Sequence, residues 1–174
     1  AIMRSDWSSD VCSSDLAELT LGLILTLLRQ VPHQDRELRS GVWKKRMGNL
    51  LHGKNVGIVG FGKIGQAVAH LLEPFGVNVG YHDPFADVPG YTRLELDDLM
   101  GWADVITLHC PKTENGAPLL DLGRLSLMRP GSIILNIARG GLIDEKALLG
   151  LLTAGHLAGA ALDCFTKEPY DGPL

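Results

Sequence analysis

The stretch Val56-Gly57-Ile58-Val59-Gly60-Phe61-Gly62-Lys63-Ile64-Gly65, with its continuation to Tyr81-His82-Asp83, decides the fold of this chain. An apolar run stops at Gly60, three glycines in the pattern Gly60-x-Gly62-x-x-Gly65 follow, and a helical pattern opens. A second apolar run then ends on an acid about 20 residues past the glycines, the separation expected of a dinucleotide-binding βαβ unit. Each glycine has its own physical task. Gly60 permits the tight strand-to-helix turn, Gly62 lets backbone approach a pyrophosphate, and Gly65 lets the helix pack closely on the strand. The helix that begins there directs N–H groups and a positive dipole end at phosphate. Asp83, at the tip of the second strand, is placed to accept both ribose hydroxyls. Its charge repels a 2′-phosphate, so NAD is expected rather than NADP.

Outward from this unit, apolar runs alternate with helical patterns. Strands are predicted at 56–59, 77–81, 105–108, 133–136 and 157–162, with a short one near 91–92. Helices are predicted at 63–72, 96–102, 122–128 and 145–154. Nearly continuous apolar strands separated by helices imply an α/β fold of the doubly wound Rossmann type, its parallel sheet buried on both faces. Right-handed crossovers bring every strand's carboxyl end to one edge, where ligands bind.

The N-terminal portion reads differently. Residues 17–30 form an apolar helix stopped by Val31-Pro32, and 38–52 is a connecting segment with Trp43 as its apolar anchor. Ser8-Ser9-Asp10 recurs as Ser13-Ser14-Asp15, and 11–16 resembles a translated sequencing adapter. Residues 1–16 are therefore expected to be a non-native leader, 17–52 a linker helix and connector, and 53–174 the cofactor domain, incomplete at its C-terminus.

The chain has 174 residues, 45% of them hydrophobic, and a formal charge of −4, which suits one soluble domain and favours neither nucleic acid nor a membrane. The basic cluster Lys44-Lys45-Arg46 reads as a solvated face. Three cysteines, Cys12, Cys110 and Cys164, show no metal spacing; no metal site is expected, and the odd count suits a cytoplasmic protein.

Chemistry is sought at the strand ends: Asp83, His109-Cys110-Pro111, the segment 136–141, and the segment 163–169. Arg139 precedes two glycines directly after a strand, and its planar fork of donors suits a carboxylate, which points to an acidic organic substrate. A surface ion pair is the competing role for this arginine.

Gly57-Ile58-Val59-Gly60-Phe61-Gly62-Lys63-Ile64-Gly65, Leu108-His109-Cys110-Pro111, Asn136-Ile137-Ala138-Arg139-Gly140-Gly141-Leu142-Ile143-Asp144 and Ala161-Leu162-Asp163-Cys164-Phe165-x-x-Glu168-Pro169 together resemble the D-isomer-specific 2-hydroxyacid dehydrogenases. The phosphoglycerate dehydrogenase-like branch is the most similar. The resemblance implies that Gly60, Gly62 and Gly65, with the backbone of Lys63 and Ile64, hold the pyrophosphate of NAD, and that Asp83 holds the adenosine ribose. It implies that Cys110 and Pro111 contact the cofactor and that Ile137, Ala138 and Asp163 line the nicotinamide side. Arg139 matches the arginine that binds the substrate carboxylate, and Glu168 the acid that hydrogen-bonds a catalytic histidine.

Two departures follow. The family's histidine stands in a Pro-His pair some tens of residues beyond the Glu-Pro segment, and none of the 6 histidines here is a good substitute. His109 has a packing and cofactor-side place in the motif, and His156 ends a helix. The family's substrate domain also has no counterpart in this chain. The expectation is thus a fragment of an NAD-dependent oxidoreductase of a D-2-hydroxy acid, 3-phosphoglycerate being the favoured guess. By itself it would be inactive, and the intact protein a homodimer. A non-enzymatic NAD(H)-sensing module of corepressor type is the alternative, and an S-adenosylhomocysteine hydrolase-like NAD domain fits the glycines without accounting for Arg139 and Glu168.

Overall fold

A computed structural model describes residues 7–174; residues 1–6 of the expected leader lie outside the described residues. Six parallel strands form one sheet: β1 (Asn55–Val59), β2 (Asn78–His82), β3 (Thr92–Arg93), β4 (Val105–Leu108), β5 (Ile133–Asn136) and β6 (Gly159–Leu162). Their order is β3-β2-β1-β4-β5-β6. The chain therefore winds outward from β1 to β3, then returns to place β4 on the other side of β1. Val59 pairs with His82 in one neighbour and Leu108 in the other, so the ends of β1, β2 and β4 lie level. This reversal opens the crevice in which doubly wound sheets hold ligands.

Side chains alternate between the two faces of each strand, which divides the core in two. Val56, Ile58, Val105, Ile133 and Leu135 point to the layer built from helices α1 (Trp7–Leu28) and α3 (Lys63–Leu72). Val59, Ile106, Leu108 and Ile134 meet the layer of α4 (Leu96–Trp102), α5 (Leu122–Leu127) and α6 (Glu145–Thr153). Both faces are dry, which explains why the strands read as continuous apolar runs.

The N-terminal region departs from expectation in three ways. Helix α1 begins at Trp7, so residues 7–16 of the expected leader continue the helix predicted from 17; Thr20 Oγ1 donates back to the Leu16 carbonyl at 2.7 Å. Ile24 and Leu28 are buried on α3 and the sheet, the destination that so apolar a helix needs. Second, Val31-Pro32 does not end helical structure but starts α2 (Val31–Arg39), because proline is tolerated in the first turn, where an N–H has no intrahelical partner. Gln30 makes the turn between the two helices at φ 55. Third, Trp43 is not an anchor: it is 84% exposed, as is Met47, and no part of the core receives it. The basic cluster is solvated at Lys44 and Lys45, whereas Arg46 pairs with Glu37 at 2.6 Å.

Candidate active and cofactor site

At the end of β1 the chain turns through Gly60, whose φ of +92 is the left-handed region open mainly to glycine. The turn is hemmed in. A Cβ on Gly60 would stand 2.7 Å from the Cys110 nitrogen and the His109 carbonyl, and one on Gly65 would overlap the Gly60 carbonyl oxygen. Phe61 points inward, fully buried and stacked on Tyr81 with ring centroids 4.0 Å apart. Gly62 is the opposite case. It is exposed, a Cβ there would meet nothing within 4 Å, and the first turn of α3 has no side-chain cap. The first turn of α3 therefore faces open space with no side chain over its amides, which fits a diphosphate.

Asp83 follows β2 and is more heavily engaged than its motif suggests. Its Oδ2 accepts from the Phe61 N–H at 2.7 Å, and its Oδ1 from Phe85 N–H at 2.8 Å and Ala86 N–H at 3.0 Å. Burial works to raise its pKa, but these three backbone donors prevail and hold the carboxyl below its ordinary value. The carboxylate thus ties the glycine turn to the rim loop while remaining at the cleft. With Gly60, Gly62, Phe85, Cys110 and Pro111 it lines a cavity of about 340 Å³.

A second cavity, of about 430 Å³, adjoins this one at His109, Cys110 and Pro111, and is walled by Ile64, Ile137, Ala138 and Arg139. Burial drives the His109 pKa down to about 4, so its ring is neutral at pH 7, and Thr107 Oγ1 lies 2.9 Å from Nε2. Burial likewise pushes the Cys110 thiol up to about 11, making it an inert wall rather than a nucleophile. Arg139 is exposed, its Nη1 donating to the Ala138 carbonyl at 2.7 Å.

The loop that presents Arg139 owes its shape to Asn136, a residue for which the sequence suggested no role beyond ending a strand. Buried to 2% exposure, it donates from Nδ2 to the Arg139 carbonyl at 2.9 Å and accepts at Oδ1 from the Ala138 N–H at 3.1 Å. A buried amide at a strand end was the available signal, since such a group needs local partners.

Of the expected site residues, the two cavities unite Gly60, Gly62, Ile64, Asp83, Cys110, Pro111, Ile137, Ala138 and Arg139. Lys63 opens α3 beside them, and Gly65 is buried beneath the turn. Asp163 and Glu168 line neither cavity. Asp163 follows β6 and donates its N–H to the Asn136 carbonyl at 2.9 Å, while Glu168 is exposed and accepts the Phe165 N–H at 3.0 Å. The 6 histidines all engage other partners than Glu168: His33 with Glu37, His52 with the Phe75 carbonyl, His70 with Glu73, His82 with the Leu94 carbonyl, His109 with Thr107 and His156 with the Met128 carbonyl. Among the described residues no cluster of three or more His, Cys, Asp or Glu could hold a metal ion, and no helix is long and apolar enough to cross a membrane.

Residues 21–174 match the NAD-binding domain of the D-isomer-specific 2-hydroxyacid dehydrogenases. The chain belongs to that family. Its members use this domain for NAD, in agreement with the open, uncapped turn at Gly62. D-3-phosphoglycerate dehydrogenase of Mycobacterium tuberculosis H37Rv is 45% identical over 166 residues, which cover 91% of this chain and 31% of that protein. The D-3-phosphoglycerate dehydrogenase of Methanocaldococcus jannaschii is 40% identical, with 95% of this chain and 33% of that protein covered. Among solved structures, an NAD-dependent formate dehydrogenase from Staphylococcus aureus in complex with NAD superimposes with a TM-score of 0.85 at 33% identity, covering 92% of this chain and 50% of that one. The chain thus spans about a third of these curated relatives and about half of the solved ones. The relatives named are dehydrogenases, which gives the non-enzymatic sensor reading no support.

Proposed function

We propose that this chain is the cofactor half of an NAD-dependent dehydrogenase that moves hydride between NAD and a D-2-hydroxy acid, with 3-phosphoglycerate as the favoured substrate. The observation that carries the reading is the meeting of three elements at one sheet edge: the open glycine turn, the Asp83 clamp and, across His109–Pro111, the exposed Arg139. The similarity to phosphoglycerate dehydrogenases at 45% identity supports the choice of substrate.

The backbone of Gly62, Lys63 and Ile64 would hold the diphosphate, and Asp83 the adenosine ribose. When bound, NAD supplies the hydride acceptor or donor. The residues of this chain then have separate tasks. Arg139, free to swing from the Ala138 carbonyl, binds the substrate carboxylate through two N–H donors and polarises the neighbouring carbonyl. Ile137, Ala138 and Cys110 exclude water from that side of the cleft. Glu168 orients a histidine and favours its protonated form, so that a proton can pass to or from the substrate oxygen. No described histidine reaches Glu168, so residues 1–174 alone are expected to bind NAD without turnover.

Residues 1–16 remain our candidate for a non-native leader, and the unpaired Cys110 and Cys164 suit a cytoplasmic protein. We place a second copy against the exposed apolar side chains of Leu38, Val42 and Trp43, which line one groove. Sedimentation of the intact protein as a monomer would refute that. The function itself is tested by following NAD reduction at 340 nm with D- and L-2-hydroxy acids and the intact protein. Turnover of the D-series is the expected result, and absence of turnover or a preference for the L-series overturns the proposal.

A further inference from the structure

The loop after β5 carries Arg139 and the loop after β6 carries Glu168, and the two are bolted together at a single peptide. A side chain on Gly140 would overlap the Phe165 carbonyl oxygen, so the two backbones touch with no space between them. The Phe165 N–H is held by Glu168 Oε1 at 3.0 Å. The next N–H, that of Thr166, donates to Glu145 Oε1 at 2.8 Å, across 21 residues of chain. Glu145 is the first residue of α6, where an acid ordinarily serves the helix end. That duty is already met: Asp144 caps α6 by accepting from the N–H groups of Lys146 at 3.0 Å and Ala147 at 3.1 Å. The Glu145 carboxylate instead reaches out of the helix to the other loop.

We propose that Glu145 is a positioning residue for the dehydrogenase reaction, fixing the Glu168 loop against the Arg139 loop by accepting the Thr166 N–H. This rests on the function proposed above, since Arg139 and Glu168 matter only if substrate and a histidine meet them. Helix α6 is anchored in the core through the buried Leu148, so it supplies a fixed reference to which the Glu168 loop is tied. Gly140 lets the two loops meet closely, and beyond the Asp163 N–H bond to the Asn136 carbonyl it is the Glu145 bond that holds the seam at Thr166.

Three variants separate this from a structural role of the helix end. Glu145→Gln keeps an acceptor at the same reach but no charge; Glu145→Asp keeps the charge but falls one carbon short; Glu145→Ala keeps neither. In the 174-residue chain, hydrogen exchange of the Thr166 amide should be slow in wild type and Glu145→Gln, and fast in Glu145→Asp and Glu145→Ala. In the intact protein, Glu145→Asp and Glu145→Ala should lower kcat by about 10- to 100-fold, the cost of about 1 Å of misplacement. KM for NAD should stay within about twofold in all three, because none of them alters the Asp83 or Gly62 region. Glu145→Gln should restore kcat. Should Glu145→Ala fail to fold, the Gln and Asp pair still decides. A Glu145→Asp variant equal to wild type, or a Glu145→Gln variant as impaired as Glu145→Ala, overturns the inference while leaving the function standing. A wild-type protein without turnover overturns both.

Discussion

The substitution Gly62→Ala is expected to leave the fold standing while removing most of its affinity for NAD. An alanine Cβ at this position meets no atom within 4 Å, and the backbone there, at φ −75, is open to any residue. Losing a glycine N-cap costs roughly 1 kcal/mol, and the stiffer unfolded chain returns about 0.4–1 kcal/mol. The melting temperature should therefore move by no more than about 2 °C. Binding is another matter, because the methyl group occupies the space through which phosphate oxygens approach the amides. Forfeiting two charge-assisted hydrogen bonds at about 1.5–3 kcal/mol each removes about 3 kcal/mol or more. That raises Kd for NADH by at least about 100-fold at 1.4 kcal/mol per decade. Gly65→Ala is the contrasting control: its Cβ overlaps the Gly60 carbonyl, so it should fail at folding rather than at binding. Calorimetric titration with NADH, paired with thermal unfolding followed by circular dichroism, reads both quantities. If Gly62→Ala binds NADH within about threefold of wild type, the diphosphate does not rest where the glycine turn places it.

Arg139→Gln should lower kcat/KM of the intact protein by about 100- to 10,000-fold, since two hydrogen bonds to a charged substrate are lost, while Kd for NAD is nearly unchanged; a variant that loses NAD instead would reassign the arginine to the cofactor. Asp83 governs behaviour in acid. Because its folded pKa lies below its ordinary value, the stability it contributes is present above about 3.9 and is lost as pH falls through the depressed folded value. Asp83→Asn should flatten this acid limb in pH-dependent unfolding, and an unchanged limb would show that the three amides do not depend on the charge. Alkylation of Cys110 by iodoacetamide, followed by mass spectrometry, should be slow at pH 8 and rise steeply only toward about 11, its raised thiol pKa. Fast labelling at pH 8 would mean that the cavity wall opens.

What was legible in the sequence follows from burial. Strands 105–108 and 133–136 and helices 63–72 and 96–102 match their expected bounds; a strand buried on both faces reads as an almost continuous apolar run, broken here only by Thr107 and Asn136. Helix α2 was hidden because it is mostly polar and buries none of its residues, so Val31 and Leu38 alone are too few to announce it, while its proline sits where a helix tolerates one. Trp43 misled for a related reason: hydrophobicity alone does not say which side of an interface a residue meets. At the site, the glycines and Asp83 announced themselves through spacing. The Phe61 amide on Asp83 and the reach of Glu145 to Thr166 did not, since they join groups 22 and 21 residues apart that only the folded sheet brings together, whereas the Phe85 and Ala86 amides and the Asn136 staple are local bonds between residues two or three apart.

Amide chemical shifts followed by NMR while NADH is added to the 174-residue chain test the central claim most directly. Binding at this edge predicts the largest displacements at Gly62, Lys63, Ile64 and Asp83, with smaller ones at Cys110 and Ala138. NADPH at the same concentration should produce weaker changes, because Asp83 opposes its additional phosphate. Displacements centred elsewhere, such as the cleft beside His33 and Arg36 of α2, would contradict the account.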